Sequence, residues 1–148
     1  PTNLQNSYEK KLGFTDTTYT AAVDNGTYKG FVNDAAGYGL AFVAQRPTKV
    51  AVLAIGYADG LARTLSNRME VLYRGQRVRQ VGNICMDQCM VAIQQTTVRP
   101  MPEAEVGDVM TIVGRDGEIT MDEMAALRGT INYEVACGFG MRLDKVYV

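Results

Sequence analysis

The sequence predicts a mainly β domain, a barrel or a sandwich, with two short helices near its C-terminus. Three observations lead there. Short β-prone runs recur from residue 49, beginning with KVAVLAIGY. Glycine and proline turn signals separate them at short intervals, which favours antiparallel neighbours. After Thr120 the apolar spacing changes from that of a strand to that of a helix.

Residues 1–36 are rich in Thr, Asn, Asp, Lys and Gly and form an uncertain N-terminal segment. Within it DNGTYKGFV, with Asn25-Gly26 as the pair favoured in type I′ turns, suggests a hairpin belonging to the same domain as the rest. KVAVLAIGY is long enough for a strand covered on both faces. MEVLYRGQRVRQV reads as two strands joined at Arg74-Gly75, and QCMVAI as the next. Beyond Pro100 and Pro102, VGDVMTIVG and a turn at Asp116-Gly117 give one more hairpin, into EIT. Thr120 and Glu123 have the T-x-x-E form of a capping box, Met121, Met124, Ala125 and Leu127 fall largely on one side, and Gly129 suits a left-handed cap. Thr130 is expected to cap a second helix over INYEVAC, ended by Gly138, before MRLDKVYV returns to the strand pattern.

At 148 residues the chain fits one domain of ordinary size, and at 47% hydrophobic and 21% charged it has the composition of a folded globular protein. A net charge of −1 supplies no field to draw it to nucleic acid or to a membrane surface. No apolar run approaches the roughly 20 residues of a membrane span. Arg74, Arg77 and Arg79 flank Gly75 and read as the solvated tip and edge of a hairpin. Cys85, Cys89 and Cys137 are not an even set and follow no secretory signal, so a cytoplasmic protein with reduced thiols is expected. The chain contains no histidine. That excludes Ser-His and Cys-His pairs, removes the commonest metal ligand, and leaves no metal site to expect.

Four stretches combine glycine, tyrosine and acid at the ends of apolar runs, where a rigid scaffold presents functional groups: AGYG, IGYADG, NICMDQ and TINYE. Tyr38 can act as an acid or base where cations lower its phenol, or pack as an aromatic over a glycine turn. Tyr57 precedes the turn dipeptide Asp59-Gly60, and Arg63, four residues on, is the expected ion-pair partner of Asp59. Met86 and Asp87 would point to opposite faces if the strand continued, with Met86 as core filler. On residues alone, packing is the favoured reading at these three places. Tyr133 in the first turn of a short helix is evenly balanced between packing inward and meeting an anion such as phosphate.

Taken in order, AGYGLAF, VAVLAIGYADGLAR, VGNICMDQCMV, VGDVMTIVG and TINYEVAC resemble the C-terminal domain of alanine racemases, the pyridoxal-phosphate-dependent amino-acid racemases, over residues 37–148. The resemblance implies a β-rich domain that follows a cofactor-bearing β/α barrel, with two chains paired head to tail so that each such domain completes its partner's active site. It implies Tyr38 as the base that exchanges the α-proton of the L-enantiomer, and Tyr57 and Met86 as substrate-binding residues, the second through its backbone N–H. It further implies Arg63, Asp87 and Asn83 at the substrate entrance and Tyr133 as a phenol on the cofactor phosphate. Pyridoxal 5′-phosphate would be held covalently by the barrel, which this chain lacks, and no lysine here reads as its attachment point. Partners would be the barrel of a second subunit, in a homodimer, and a small amino acid, with neither nucleic acid nor membrane touched by this domain.

Departures from the family pattern bear on the substrate. Asn83 stands where many alanine racemases carry Arg, and MRLDK replaces an RVPR-like ending. Asn83 and AGYG together look closer to the branch that includes membrane-anchored serine/alanine racemases of vancomycin resistance, so L-serine joins L-alanine as a candidate, and a cytoplasmic domain of an anchored enzyme becomes an alternative location. As an isolated domain the chain is expected to be inactive. The competing expectation is a stand-alone β-domain that serves as a binding module without racemase activity.

Overall fold

The computed structural model describes residues 11–13, 18–30, 35–36, 42–43, 48–93, 104–114 and 119–147, with side chains at 42, 49–93, 104–114 and 119–147. Its centre is one hairpin. Strands β6 (Glu70–Tyr73) and β7 (Gln76–Val81) pair antiparallel, Val71 opposite Val78 and Tyr73 opposite Gln76. Arg74 at φ 49° and Gly75 at φ 76° turn the chain between them, the positive pair that a type I′ turn requires. Strand β8 (Cys89–Ile93) lies against β7, and β5 (Thr48–Leu53) against β8, both antiparallel.

The sheet then curls shut. Strand β2 (Thr18–Gly30) pairs through Val23–Gly30 with β5, while Tyr19–Ala22 pair with β9 (Val109–Val113), which also meets β6. The order β2-β5-β8-β7-β6-β9 therefore returns to β2, a barrel-like ring that leaves those strands no open edge. Strand β1 (Lys11–Gly13) continues outward from β2 and takes β10 (Asp144–Val146) as a parallel neighbour. Two short strands, β3 (Ala35–Ala36) and β4 (Phe42–Val43), pair separately.

Asn25-Gly26 departs from expectation. The pair does not turn the chain back: β2 runs on through it, and the two residues form a bulge, since Asp24 faces Val52 and Thr27 faces the adjacent Ala51. A bulge bends and twists a strand, and here β2 must serve β9 with its first half and β5 with its second. The expected turn at Asp116-Gly117 falls outside the described residues, although Gly114 and Ile119 on either side bridge as a hairpin would require.

Burial follows the strand periods. β6 alternates, with Val71 and Tyr73 inside, whereas Val50, Ala51, Val52 and Leu53 of β5 are all buried, the mark of a strand covered on both faces. Helix α1 (Met121–Arg128) begins where Thr120 Oγ1 accepts the Glu123 N–H at 3.0 Å and ends at left-handed Gly129 (φ 73°). Met124 and Ala125 enter the core, with Met121 and Leu127 packed beside it. Helix α2 (Asn132–Gly138) contributes Val135. Its cap is Ile131, without a side-chain hydrogen bond, and not Thr130 as expected. The Thr130 N–H instead donates to the Ala125 carbonyl at 2.9 Å, which commits Thr130 to closing α1.

One polar tie locks the hairpin to the turn before β9. The buried Tyr73 hydroxyl donates to Asp108 Oδ2 at 2.7 Å, the same oxygen accepts the Glu105 N–H at 2.9 Å, and Arg74 lies 3.7 Å away and over the Tyr73 ring. Burial, then the bond to a carboxylate, pushes the Tyr73 phenol up to about 12. Burial acts against the Asp108 carboxylate, yet the two hydrogen bonds and Arg74 outweigh it and hold the group below its ordinary value.

Candidate functional site

Three loops meet at one end of the barrel, and their backbones touch directly. After β5 the chain passes through buried Ala54, Ile55 and Gly56 into a 3-10 turn, Tyr57–Asp59, closed by Gly60 at φ 105°. The Gly56 N–H donates to Asp59 Oδ2 at 2.9 Å, which tightens the turn from inside. A Cβ on Gly56 would collide with the Cys85 and Met86 carbonyl oxygens, so only glycine lets the loop between β7 and β8 approach this far. Across that contact Tyr57 N–H donates to Cys85 O at 2.9 Å and Ala58 N–H to Met86 O at 3.0 Å.

The third loop follows α2. A Cβ on Gly60 would strike Gly138 and Phe139 backbone atoms, and the Gly140 N–H donates to the Asp59 carbonyl at 3.1 Å. Backbone contact thus fixes all three loops and leaves the Tyr57 and Met86 side chains exposed.

Tyr57 and Met86 are the sequence-predicted residues that this junction brings together. Met86 is not core filler: it is 53% exposed, on a turn closed by the Cys85 N–H on the Gln88 carbonyl at 2.9 Å. The strand does not continue through Met86 and Asp87, because β7 has ended at Val81 and the chain must reverse before β8 begins at Cys89. Arg63 and Asn83 lie beside the junction: Ser66 Oγ donates to the Arg63 carbonyl at 2.6 Å and accepts the Ile84 N–H at 2.8 Å, next to half-buried Asn83. Tyr133 is 76% exposed in the first turn of α2, so the packing alternative fails there too. The junction touches α2 at its other end, through Gly138 and Phe139. Tyr38 lies outside the described residues.

The expected ion pair of Asp59 with Arg63 is replaced by another. Arg63 is exposed, whereas Asp59 is fully buried with Arg142 Nε 3.4 Å from Oδ1; the same guanidinium reaches Asp87 Oδ1 with Nη2 at 2.7 Å. Sequence reasoning missed Arg142. Neither aspartate is near it in sequence, and ion pairs between distant loops leave no spacing to read. Among the described residues the cysteines form no disulfide, and no group of acids and cysteines converges as a metal site would.

The chain's sequence and fold both have counterparts. The family model described as alanine racemase, C-terminal domain, matches residues 29–147. An alanine racemase of Synechocystis sp. is 47% identical over 113 residues, 75% of this chain and 29% of that protein. Alanine racemase 2 of Oceanobacillus iheyensis is 40% identical over 136 residues, 90% of this chain and 32% of that protein. Among solved structures, the alanine racemase of Clostridium difficile 630 in complex with cycloserine superposes with a TM-score of 0.79 at 34% identity, covering 88% of this chain and 33% of that one. The Bartonella henselae alanine racemase with covalently bound pyridoxal phosphate gives 0.79 at 27% identity, over 88% of this chain and 34% of that one. The chain spans about a third of the structures it matches, and no described helix is long and apolar enough to cross a membrane. With the family model covering most of its length and the same β-rich architecture beneath, the chain belongs to the alanine racemase C-terminal domain family.

Proposed function

We propose that this domain completes the active site of a pyridoxal-phosphate-dependent amino-acid racemase, lending a proton-carrying phenol and substrate-positioning groups to a cofactor-bearing β/α barrel on a partner subunit of a homodimer. The observation that carries the proposal is the three-loop junction, where Tyr57 and Met86 stay exposed above a backbone that is fixed on all sides. The Met86 carbonyl is taken by Ala58, while among the described residues nothing accepts the Met86 N–H. That donor is free to meet a substrate carboxylate. Tyr57 stands over the same loop as the wall that narrows the approach, and Arg63, Asn83 and Asp87 border it.

The cofactor fits this domain only at its margin. The cleft between α1 and α2 is lined by Asp122, Thr130, Asn132 and Tyr133 among others, and none of its lining residues is a cation. Tyr133 suits a single hydrogen bond to a phosphate whose charge is balanced elsewhere. Of the lysines with described side chains, Lys49 sits in β5 and Lys145 on exposed β10; we assign attachment to the barrel. When bound, the cofactor takes up the negative charge that develops at the substrate α-carbon. Racemisation needs a proton carrier on each face of that carbon; Tyr38 holds and moves the proton on one face at its phenolic oxygen, where barrel cations lower its affinity for it.

The curated relatives are named for alanine, which makes L-alanine the first substrate to assay, and Asn83 makes L-serine the second. The test mixes this chain with a racemase barrel and measures racemisation of both. Activity is expected from the mixture and not from the chain alone, and Tyr38→Phe should lower it by about 10²–10⁴-fold. A cofactor absorbance that the chain alone retains after dialysis, or restored activity indifferent to Tyr38→Phe, would refute the respective assignment.

A further inference from the structure

We infer that Arg142 is a positioning residue that holds the Tyr57 loop and the Met86 loop in register through Asp59 and Asp87; the consequence for substrate rests on the racemase function proposed above. Asp59 is fully buried, and burying a carboxylate is costly unless it is paired with a cation and hydrogen-bonded. It has the Gly56 N–H at 2.9 Å on Oδ2 and Arg142 Nε at 3.4 Å from Oδ1. The same guanidinium donates through Nη2 to Asp87 at 2.7 Å. Asp59 closes the turn that presents Tyr57, and Asp87 directly follows Met86.

The geometry requires arginine. A guanidinium is planar and spreads its charge over a fixed fork, so its Nη2 can reach Asp87 at 2.7 Å while Nε sets the charge beside Asp59 Oδ1 at 3.4 Å, an ion pair rather than a hydrogen bond. A lysine ammonium in the same place supplies charge to Asp59 without the fixed second donor. The two loops are also laced by the Tyr57 and Ala58 N–H groups on the Cys85 and Met86 carbonyls. Arg142 adds a side-chain tie between the same loops, and its release lets that lacing open. The Met86 N–H and the Tyr57 ring then lose their fixed separation. A merely structural Arg142 would change the amount of folded enzyme, hence the melting temperature and kcat, and leave KM alone.

The experiment uses the racemase holoenzyme that carries this domain, with Arg142→Lys, Asp87→Asn and the double variant, and two readouts. Hydrogen exchange at the Tyr57 and Ala58 amides should quicken by about tenfold in each single variant. KM for alanine should rise by about tenfold with kcat within about twofold. The double variant should be no worse than the worse single, because both changes remove one tie. Unchanged exchange in both single variants overturns the clamp, whether or not the enzyme racemises alanine. Faster exchange with unchanged KM overturns the positioning of substrate groups. If the unaltered enzyme does not racemise alanine or serine, the proposed function fails, and exchange alone decides on the clamp.

Discussion

Gly56→Ala separates two reasons for a glycine that are usually confounded. Gly56 has φ −150°, extended backbone that any residue adopts, so alanine there suffers no conformational strain and even restricts the unfolded chain, worth about 0.4–1 kcal/mol of stabilisation. Against that, its Cβ would overlap the Cys85 and Met86 carbonyl oxygens, and both are backbone atoms that cannot rotate away. The loops must part. Parting them loses the Tyr57 to Cys85 and Ala58 to Met86 hydrogen bonds, about 1 kcal/mol each, and strains the packing by about 1–3 kcal/mol. A net destabilisation of about 2–4.5 kcal/mol follows, a large part of the roughly 5–15 kcal/mol that a domain possesses. Gly75→Ala is the matched control, with nothing near its Cβ but φ +76°, so it should lose only about 1 kcal/mol through the backbone. Urea unfolding midpoints measure both. If Gly56→Ala proves no more destabilising than Gly75→Ala, the two loops are not in backbone contact.

Thr120→Ala removes the oxygen that caps α1 and should cost about 1 kcal/mol in thermal unfolding, with Thr120→Ser retaining most of it. The Tyr73 phenol stays protonated to about 12 in the fold, against an ordinary value of 10.0. Its contribution is therefore complete below pH 10 and lost as pH rises towards 12, about 2–3 kcal/mol in all, a slope that Tyr73→Phe should abolish in urea midpoints taken across that range. The Asp108 carboxyl is shifted the other way, so its contribution holds above its ordinary value of 3.8 and disappears as pH falls through the folded one, which midpoints in acid would register. Arg77 pairs with Glu123 at 2.9 Å and Glu70 at 3.5 Å on the surface, and Arg77→Gln should change stability by less than about 1 kcal/mol, and less still in high salt.

What the sequence discloses and what it hides divide along the range of the interactions. The β6-β7 hairpin is legible because alternation and Arg74-Gly75 act within a few residues, and α1 because Thr120, Glu123 and Gly129 serve their own helix. Asn25-Gly26 misleads for the complementary reason. The dipeptide permits a hairpin, but residues 19–22 and 23–30 have partners in β9 and β5, and those pairings keep β2 extended through the bulge. Thr130 likewise satisfies the rule for an N-cap, yet it closes α1 through its N–H on Ala125 and the capping position of α2 falls one residue later, at Ile131. Arg142 leaves no trace at all, since the two carboxylates it bridges meet only after three loops have assembled.

The same division explains how the junction can expose Tyr57 and Met86 while keeping them in place. Each contact that sets their position is made by backbone or by buried charge: the Cys85 and Met86 carbonyls, the Gly140 N–H, and Asp59 with Arg142. None requires the Tyr57 ring or the Met86 thioether to pack inward. Those side chains are consequently left exposed, and large exposed apolar side chains on a rigid base are what a partner surface uses. The proposed completion of a site by a second chain would need this arrangement, because its geometry must exist before the partner arrives. The glycines at 56 and 60 make it attainable, by letting loops from three parts of the sequence stack backbone on backbone.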